Sequence, residues 1–312
     1  MVTLALIDPL TLAGREVLRV LPRFPSLSGR VVYLHTAEDD EHQIAELAGD
    51  AALVPPVDDP DELAEVDAVV IASEEETPRL EALARHLRDR SEMPSVFLTP
   101  PPSVAVDLGT AVPGQGAVWP ARTAHPAALM ARDIAAALQS LQPEGGTLAA
   151  VDPVSSLGVG AIDVLVRQAV ARLNGEIPKE TLAGHVVAFG MATTPTDRIA
   201  EDAAAVVRGV ALAVSSTLAG CFHGHVLHLG LAFAEPVDHV EVEELLTSSS
   251  SLEVARGPIN LDQVPDLERI LVGDVQLAPG GRFLTLTAMV DGLRLSAQAT
   301  LQLLEEVVIA PS

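Results

Sequence analysis

Short apolar runs alternate with amphipathic stretches through the first hundred residues of this chain, and that alternation limits the folds open to it. Val2–Ile7, Arg30–His35, Ala51–Val54, Ala68–Ala72 and Ser95–Leu98 are rich in Val, Leu or Ile and end in turn residues, the mark of strands. Between them Ala13–Leu21, Asp39–Leu47 and Thr77–Arg88 carry apolar residues at helical spacing with charge on the other face. Strands separated by helices pair in parallel, so the spacing predicts an α/β domain built on a Rossmann-like parallel sheet.

Pro100, Pro101 and Pro102 interrupt the pattern, and the segment through Trp119 reads as loop, with Gly109, Pro113, Gly114 and Gly116 as turns. A helix over Ala127–Gln139 and a strand over Thr147–Val151 follow; Asp152-Pro153 then precedes a long helix, Leu157–Leu173. Later segments are mostly strands: His185–Gly190, Ala211–Leu218, Gly224–Phe233, Leu252–Ala255, Arg269–Leu277 and Arg282–Val290, with helices near Arg198–Val207 and Val240–Leu246. Runs of strands with few helices predict an α+β domain with a mainly antiparallel sheet. Helical spacing returns at Leu293–Val307. The expected domains are 1–151, completed by a C-terminal helix at 292–312, and 152–291.

Hydrophobic residues form 48% of the 312, enough for two cores. A formal charge of −24 repels phosphate backbones and anionic lipid, and no basic cluster relieves it, so neither nucleic acid nor membrane is an expected partner. Cys221 is the one cysteine, which fits a reducing compartment; with no signal-like N-terminus, the expected location is the cytoplasm.

Several motifs, taken in order, resemble the aspartate-semialdehyde dehydrogenase family. They are the first strand with Ala13-Gly14-Arg15-Glu16-Val17-Leu18, the strand Asp67–Ser73, Asp152-Pro153-Val154-Ser155-Ser156 in place of Asn-Pro-Asn-Cys-Ser, Gly224-His225 leading to Glu235-Pro236-Val237, and Asp291-Gly292-Leu293-Arg294 in place of Asp-Asn-Leu-Arg. The resemblance covers nearly the whole chain and is similar to a diverged, Usg-like paralogue without the catalytic cysteine. It implies catalytic positions at Ser155 and His225, a vestigial cofactor position at Gly14, and a homodimer through the second domain's sheet.

The family's chemistry requires a thiolate, a base, an arginine for the substrate carboxylate and a glycine cradle for NADP phosphates. Here Ser155 stands at the nucleophile position, where serine is read as a helix cap because its hydroxyl is a far weaker nucleophile than a thiolate. The arginine position is Leu218, which cannot pair with a carboxylate. The cradle Gly-x-x-Gly-x-x-Gly becomes Asp8-Pro9-Leu10-Thr11-Leu12-Ala13-Gly14, in which proline removes a donor, leucine adds bulk and aspartate adds like charge. Ser73-Glu74-Glu75 replaces a Gly-Gly-Ser turn. His225 alone keeps a catalytic residue type.

Cys221, His223 and His225 alternate, which on a strand would share one face; the pattern is unspecific, and no metal is expected. His35 and His42 read as surface residues, and Cys221 as a structural thiol within a strand. The expectation is a non-catalytic homodimer acting in binding or scaffolding, with no cofactor and with scope for an unidentified protein partner. Its alternative is an active NADP-dependent semialdehyde dehydrogenase of amino-acid biosynthesis with a remodelled site.

Overall fold

The computed structural model describes residues 2–38, 43–47, 50–98, 104, 108–111, 113–114 and 117–309. Two compact units emerge, Met1–Thr123 with Ser296–Ser312, and Ala124–Leu295.

The first unit is a six-stranded parallel sheet. Its strands are β1 (Thr3–Ile7), β2 (Arg30–Leu34), β5 (Ala68–Ile71), β6 (Ser95–Phe97), β7 (Gly109–Ala111) and β8 (Ala121–Thr123), in the order β2-β1-β5-β6-β8-β7. Every residue of β1 and β5 is buried, which is why, Thr3 apart, both read as continuous apolar runs. Helices α1 (Leu12–Val20) and α2 (Pro78–Asp89) start at threonine caps: Thr11 accepts from the Gly14 N–H, and Thr77 from that of Leu80. Leu80, Leu83 and Leu87 carry α2 onto a core containing Ile7, Val69, Ile71 and Phe97.

Gln43–Leu47, expected to be helical, is strand β3 and pairs antiparallel with β4 (Asp50–Val54); residues 39–42 of that expected helix lie outside the described residues, as do His42, Pro100–Pro102 and Gly116. Ile44 is 78% exposed and Leu53 55%, so the apolar spacing had no core to bury a helix against, and two neighbouring runs paired locally instead. β4 therefore belongs to this ribbon and not to the parallel sheet. β7 is a short strand within the expected loop. His35 is not on the surface: it is 1% exposed and bridges to Pro56.

The second unit carries a seven-stranded mixed sheet ordered β10-β11-β9-β12-β15-β14-β13, with β9 (Pro143–Asp152), β10 (Met191–Thr193), β11 (Ala211–Ala219), β12 (His225–Phe233), β13 (Leu252–Val254), β14 (Ile270–Leu277) and β15 (Phe283–Val290). Four of its six pairings are antiparallel; β11 with β9 and β13 with β14 are parallel. Helices α3 (Pro126–Ala137), α5 (Asp197–Val206) and α6 (His239–Ser248) pack against these strands. Because α3 and β9 pack and pair within this unit, the boundary by contacts falls after Thr123, earlier than the expected 151.

His185–Gly190 is not the strand expected. Gln168, 1% exposed on α4 (Val159–Leu173), accepts the Val187 and Ala188 N–H groups at 3.0 and 3.2 Å, and its amide donates to Glu180 and His185 carbonyls. A side chain thus satisfies backbone groups that a strand would have paired, and the edge of the sheet passes to Met191–Thr193. The last helix, α7, spans Gly292–Ile309. Among the described residues, no helix is long and apolar enough to cross a membrane.

Candidate functional site

Gly14 sits in the first unit, where β1 turns into α1. A Cβ there would lie 2.4 Å from the Asp8 carbonyl oxygen, so glycine is required for this close approach. Around it the polar groups at the strand ends are already engaged. Asp8 Oδ1 accepts the Thr36 N–H at 2.8 Å, while Oδ2 accepts the Thr36 hydroxyl at 2.6 Å and the Ser73 hydroxyl. Of the helix's early donors, Ala13 N–H points to Glu74 Oε1 at 3.3 Å, Gly14 N–H to Thr11 Oγ1 at 3.0 Å and Arg15 N–H to the Thr11 carbonyl at 3.0 Å. An edge that would present free N–H groups to phosphate instead presents two carboxylates.

In the second unit, Ser155 caps no helix. It lies 5% exposed in a single 3-10 turn, Val154–Leu157, held by its N–H to the Phe222 carbonyl at 3.1 Å. α4 begins only at Val159, with Gly158 (φ 88°) before it and no side-chain cap. Ser156 does not cap either, since its hydroxyl donates to the Pro153 carbonyl. Leu218, 2% exposed, packs with Val154, Leu165, Leu182 and Val187.

His225 opens β12 and lies one step beyond the cross-strand pair Val226–Val151, which brings it beside Asp152 at the end of β9. The expected face shared by Cys221, His223 and His225 does not form: the first two lie in the connection between β11 and β12, with His223 exposed and Cys221 half-buried. Burial and the Asp152 charge push the Cys221 thiol pKa up, keeping it protonated and unreactive. His225 instead meets His125, the N-cap residue of α3, with ring centroids 5.8 Å apart and edge to face. His125 is fixed by its backbone N–H to Asp202 Oδ2 at 2.8 Å, and its Nδ1 accepts the Ala127 N–H at 3.2 Å.

Asp152 lies between the two imidazoles, with Oδ1 3.4 Å from His125 Nε2 and 3.9 Å from His225 Nε2; Oδ2 accepts the Ser216 hydroxyl at 3.2 Å. Burial opposes ionisation of Asp152, but contact with His125, the nearby His225 and the Ser216 hydroxyl outweigh it and hold the carboxyl below its usual pKa. For His225 burial dominates: with Asp152 and Asp291 opposing and His125 assisting, its pKa falls from 6.5 to about 4. The group is therefore an anionic carboxylate beside a neutral imidazole. Gly292 closes it from α7, where a Cβ would come within 2.2 Å of His225 Nδ1. Asp291 caps that helix through the Leu293 and Arg294 N–H groups, so two separate motifs, Gly-His and Asp-Gly-Leu-Arg, meet at one ring.

His125 is the residue that motif reading passes over. It stands 27 positions before Asp152 and 100 before His225, on a different element from either, and no local spacing connects them.

No protein-family model matches the chain, and comparison of its sequence with curated proteins finds no match. Solved structures do share its fold. A probable aspartate-semialdehyde dehydrogenase of Pseudomonas aeruginosa superposes with a TM-score of 0.81 at 23% identity, over 99% of this chain and 98% of that one. Aspartate semialdehyde dehydrogenase II of Vibrio cholerae, complexed with ASA, gives 0.79 at 17% identity, over 100% and 99%. The Francisella tularensis enzyme gives 0.77 at 10% identity, over 98% and 100%.

Proposed function

We propose that this chain keeps the two-domain scaffold of the aspartate-semialdehyde dehydrogenases without their catalysis, and acts as a homodimeric binding or scaffold protein. The observation that carries the reading is the occupied anion position at the β1–α1 turn. A dinucleotide pyrophosphate would meet the Asp8 and Glu74 carboxylates there, and would have to displace the acceptors that already hold the Ala13 and Gly14 N–H groups. NADP does not fit these residues. Ser155 in place of a thiolate, and Leu218 buried where a substrate arginine would stand, support the same conclusion.

The test is NADPH added to the purified chain while thermal unfolding is followed. Nucleotide at 100 times its dissociation constant would add about 2.7 kcal/mol of stability. No shift is expected, and no turnover with aspartate semialdehyde, phosphate and NADP. A saturable shift with turnover would establish the rival, a working dehydrogenase with a remodelled site.

Self-association is supported by what the second unit leaves bare. Thr147, Ser215, His228 and Thr285 project from one exposed sheet face. Along α4, Val159, Val166, Val170 and Leu173 are between 44% and 77% exposed. Two chains of formal charge −24 repel, so association is favoured through surface with few carboxylates; the α4 stripe carries one, Asp163, and the sheet face is bordered by Asp274.

A further inference from the structure

We propose that His125, Asp152 and His225 form a binding site for one divalent first-row transition metal ion, with zinc as the reference ion. The donors come from three elements, the N-cap of α3, the end of β9 and the start of β12, and their ligand atoms all lie within 4.8 Å of one another. A tetrahedral ion with bonds of about 2.0–2.1 Å holds its ligand atoms about 3.3 Å apart. The Oδ1 to Nε2 distances of 3.4 and 3.9 Å are close to that, and the two imidazole donors, within 4.8 Å of each other, have to approach by at most about 1.5 Å.

A second observation points to a missing centre. Asp152 Oδ1 and both ring nitrogens of His225 are buried without a hydrogen-bond partner, although His225 is only 3% exposed. Buried polar atoms are nearly always paired, because an orphan loses its water without a replacement. One ion between the three side chains would satisfy Oδ1 and His225 Nε2 together.

One contact opposes the site. Because the Ala127 N–H points at His125 Nδ1, the neutral ring carries its proton on Nε2, the atom that must ligate. Binding therefore requires the other neutral tautomer, with the proton on Nδ1, and gives up the capping hydrogen bond from the Ala127 N–H. A nitrogen-and-oxygen donor set binds zinc-like ions far more strongly than that. Two imidazoles and a single carboxylate exclude magnesium and calcium, which take six or more oxygens. Three protein ligands leave a coordination position open, on the side where His125 and Asp152 retain slight solvent exposure.

The test uses the full chain after chelator treatment, titrated with cobalt(II) and followed by its visible d–d absorption, with zinc as competitor and thermal unfolding as a second readout. One equivalent should saturate the spectrum, zinc should displace cobalt, and either ion should raise the melting temperature. Asp152→Asn and His125→Gln should each weaken binding by at least roughly tenfold, while exposed His223→Gln should bind as the parent does. Circular dichroism of each variant separates lost binding from lost folding, and His125→Gln, at a helix start, serves if Asp152→Asn does not fold. Absence of one-to-one binding would overturn the proposal, as would unchanged affinity in a folded His125 or Asp152 variant, or loss of binding in His223→Gln.

Discussion

Asp152 Oδ1 stands 3.4 Å from Nε2 of His125, too far for a well-formed hydrogen bond yet near enough to keep a carboxylate ionised inside the protein. The third partner, His225, has its pKa lowered from 6.5 to about 4, so between those values the unfolded chain takes up a proton that the folded chain refuses. His225 therefore leaves stability intact above about pH 6.5 and erodes it as pH falls through that window, by about 3 kcal/mol in all. Asp152, with a lowered pKa, adds a further loss once its own carboxylate is protonated in more strongly acid solution. Denaturant midpoints of chelator-treated protein at pH 7.5, 5.5 and 4.5 should decline steadily, and the His225 ring signals should not titrate above about pH 5. A ring that titrates near pH 6.5 would refute the assignment.

Gly292 and Gly160 should respond in opposite directions to alanine. At Gly292 a Cβ would meet His225 at 2.2 Å, so the ring or the start of α7 must move, and overpacking of this kind costs about 1–3 kcal/mol. Gly160, in the first turn of α4, has no atom within 4 Å of an added Cβ, and alanine there should stabilise by up to about 1 kcal/mol. Thermal melts of the two variants check both signs.

Gln168→Leu should be among the more damaging surface-distant substitutions. It keeps the volume but strips acceptors from the Val187 and Ala188 N–H groups and donors from the Glu180 and His185 carbonyls. A loss of about 2–4 kcal/mol is expected. Limited proteolysis should then cut first within residues 180–190; a variant cut elsewhere would place the anchor somewhere other than this side chain.

Val170→Asp tests the exposed stripe on α4. Val170 is 52% exposed, so the change should leave the fold of the protomer intact while adding a charge to each copy of the contact. Sedimentation should show the parent as a dimer and the variant shifted toward monomer. An unchanged dimer would move the interface off α4.

The parallel sheet was legible because β1, β5 and β6 are buried on both faces and therefore unmistakably apolar, and because α2 announces itself with Thr77-Pro78 and a leucine stripe. The mixed sheet was legible from β11, β12, β14 and β15, strand-length apolar runs that bury one face and leave residues such as Ser215, His228 and Thr285 exposed on the other. Segments 43–47 and 185–190 were misread for one shared reason. Their apolar spacing is real, but the partner that decides its use is a neighbouring strand in the first case and the Gln168 amide in the second. Cys221 was misplaced because a strand end depends on where the next strand begins, and Gly224, at φ 89°, starts β12 late.

By itself the sequence determined the class of each layer and the changes at Ser155, Leu218 and the Asp8–Gly14 turn, since periodicity and residue chemistry are local properties. Only the tertiary structure decided that Glu74 accepts the Ala13 N–H, that Asp8 accepts from Thr36 and Ser73, and that His125 joins Asp152 and His225. Those groups are far apart along the chain, and their meeting depends on strand register and helix placement, which no short stretch of residues specifies.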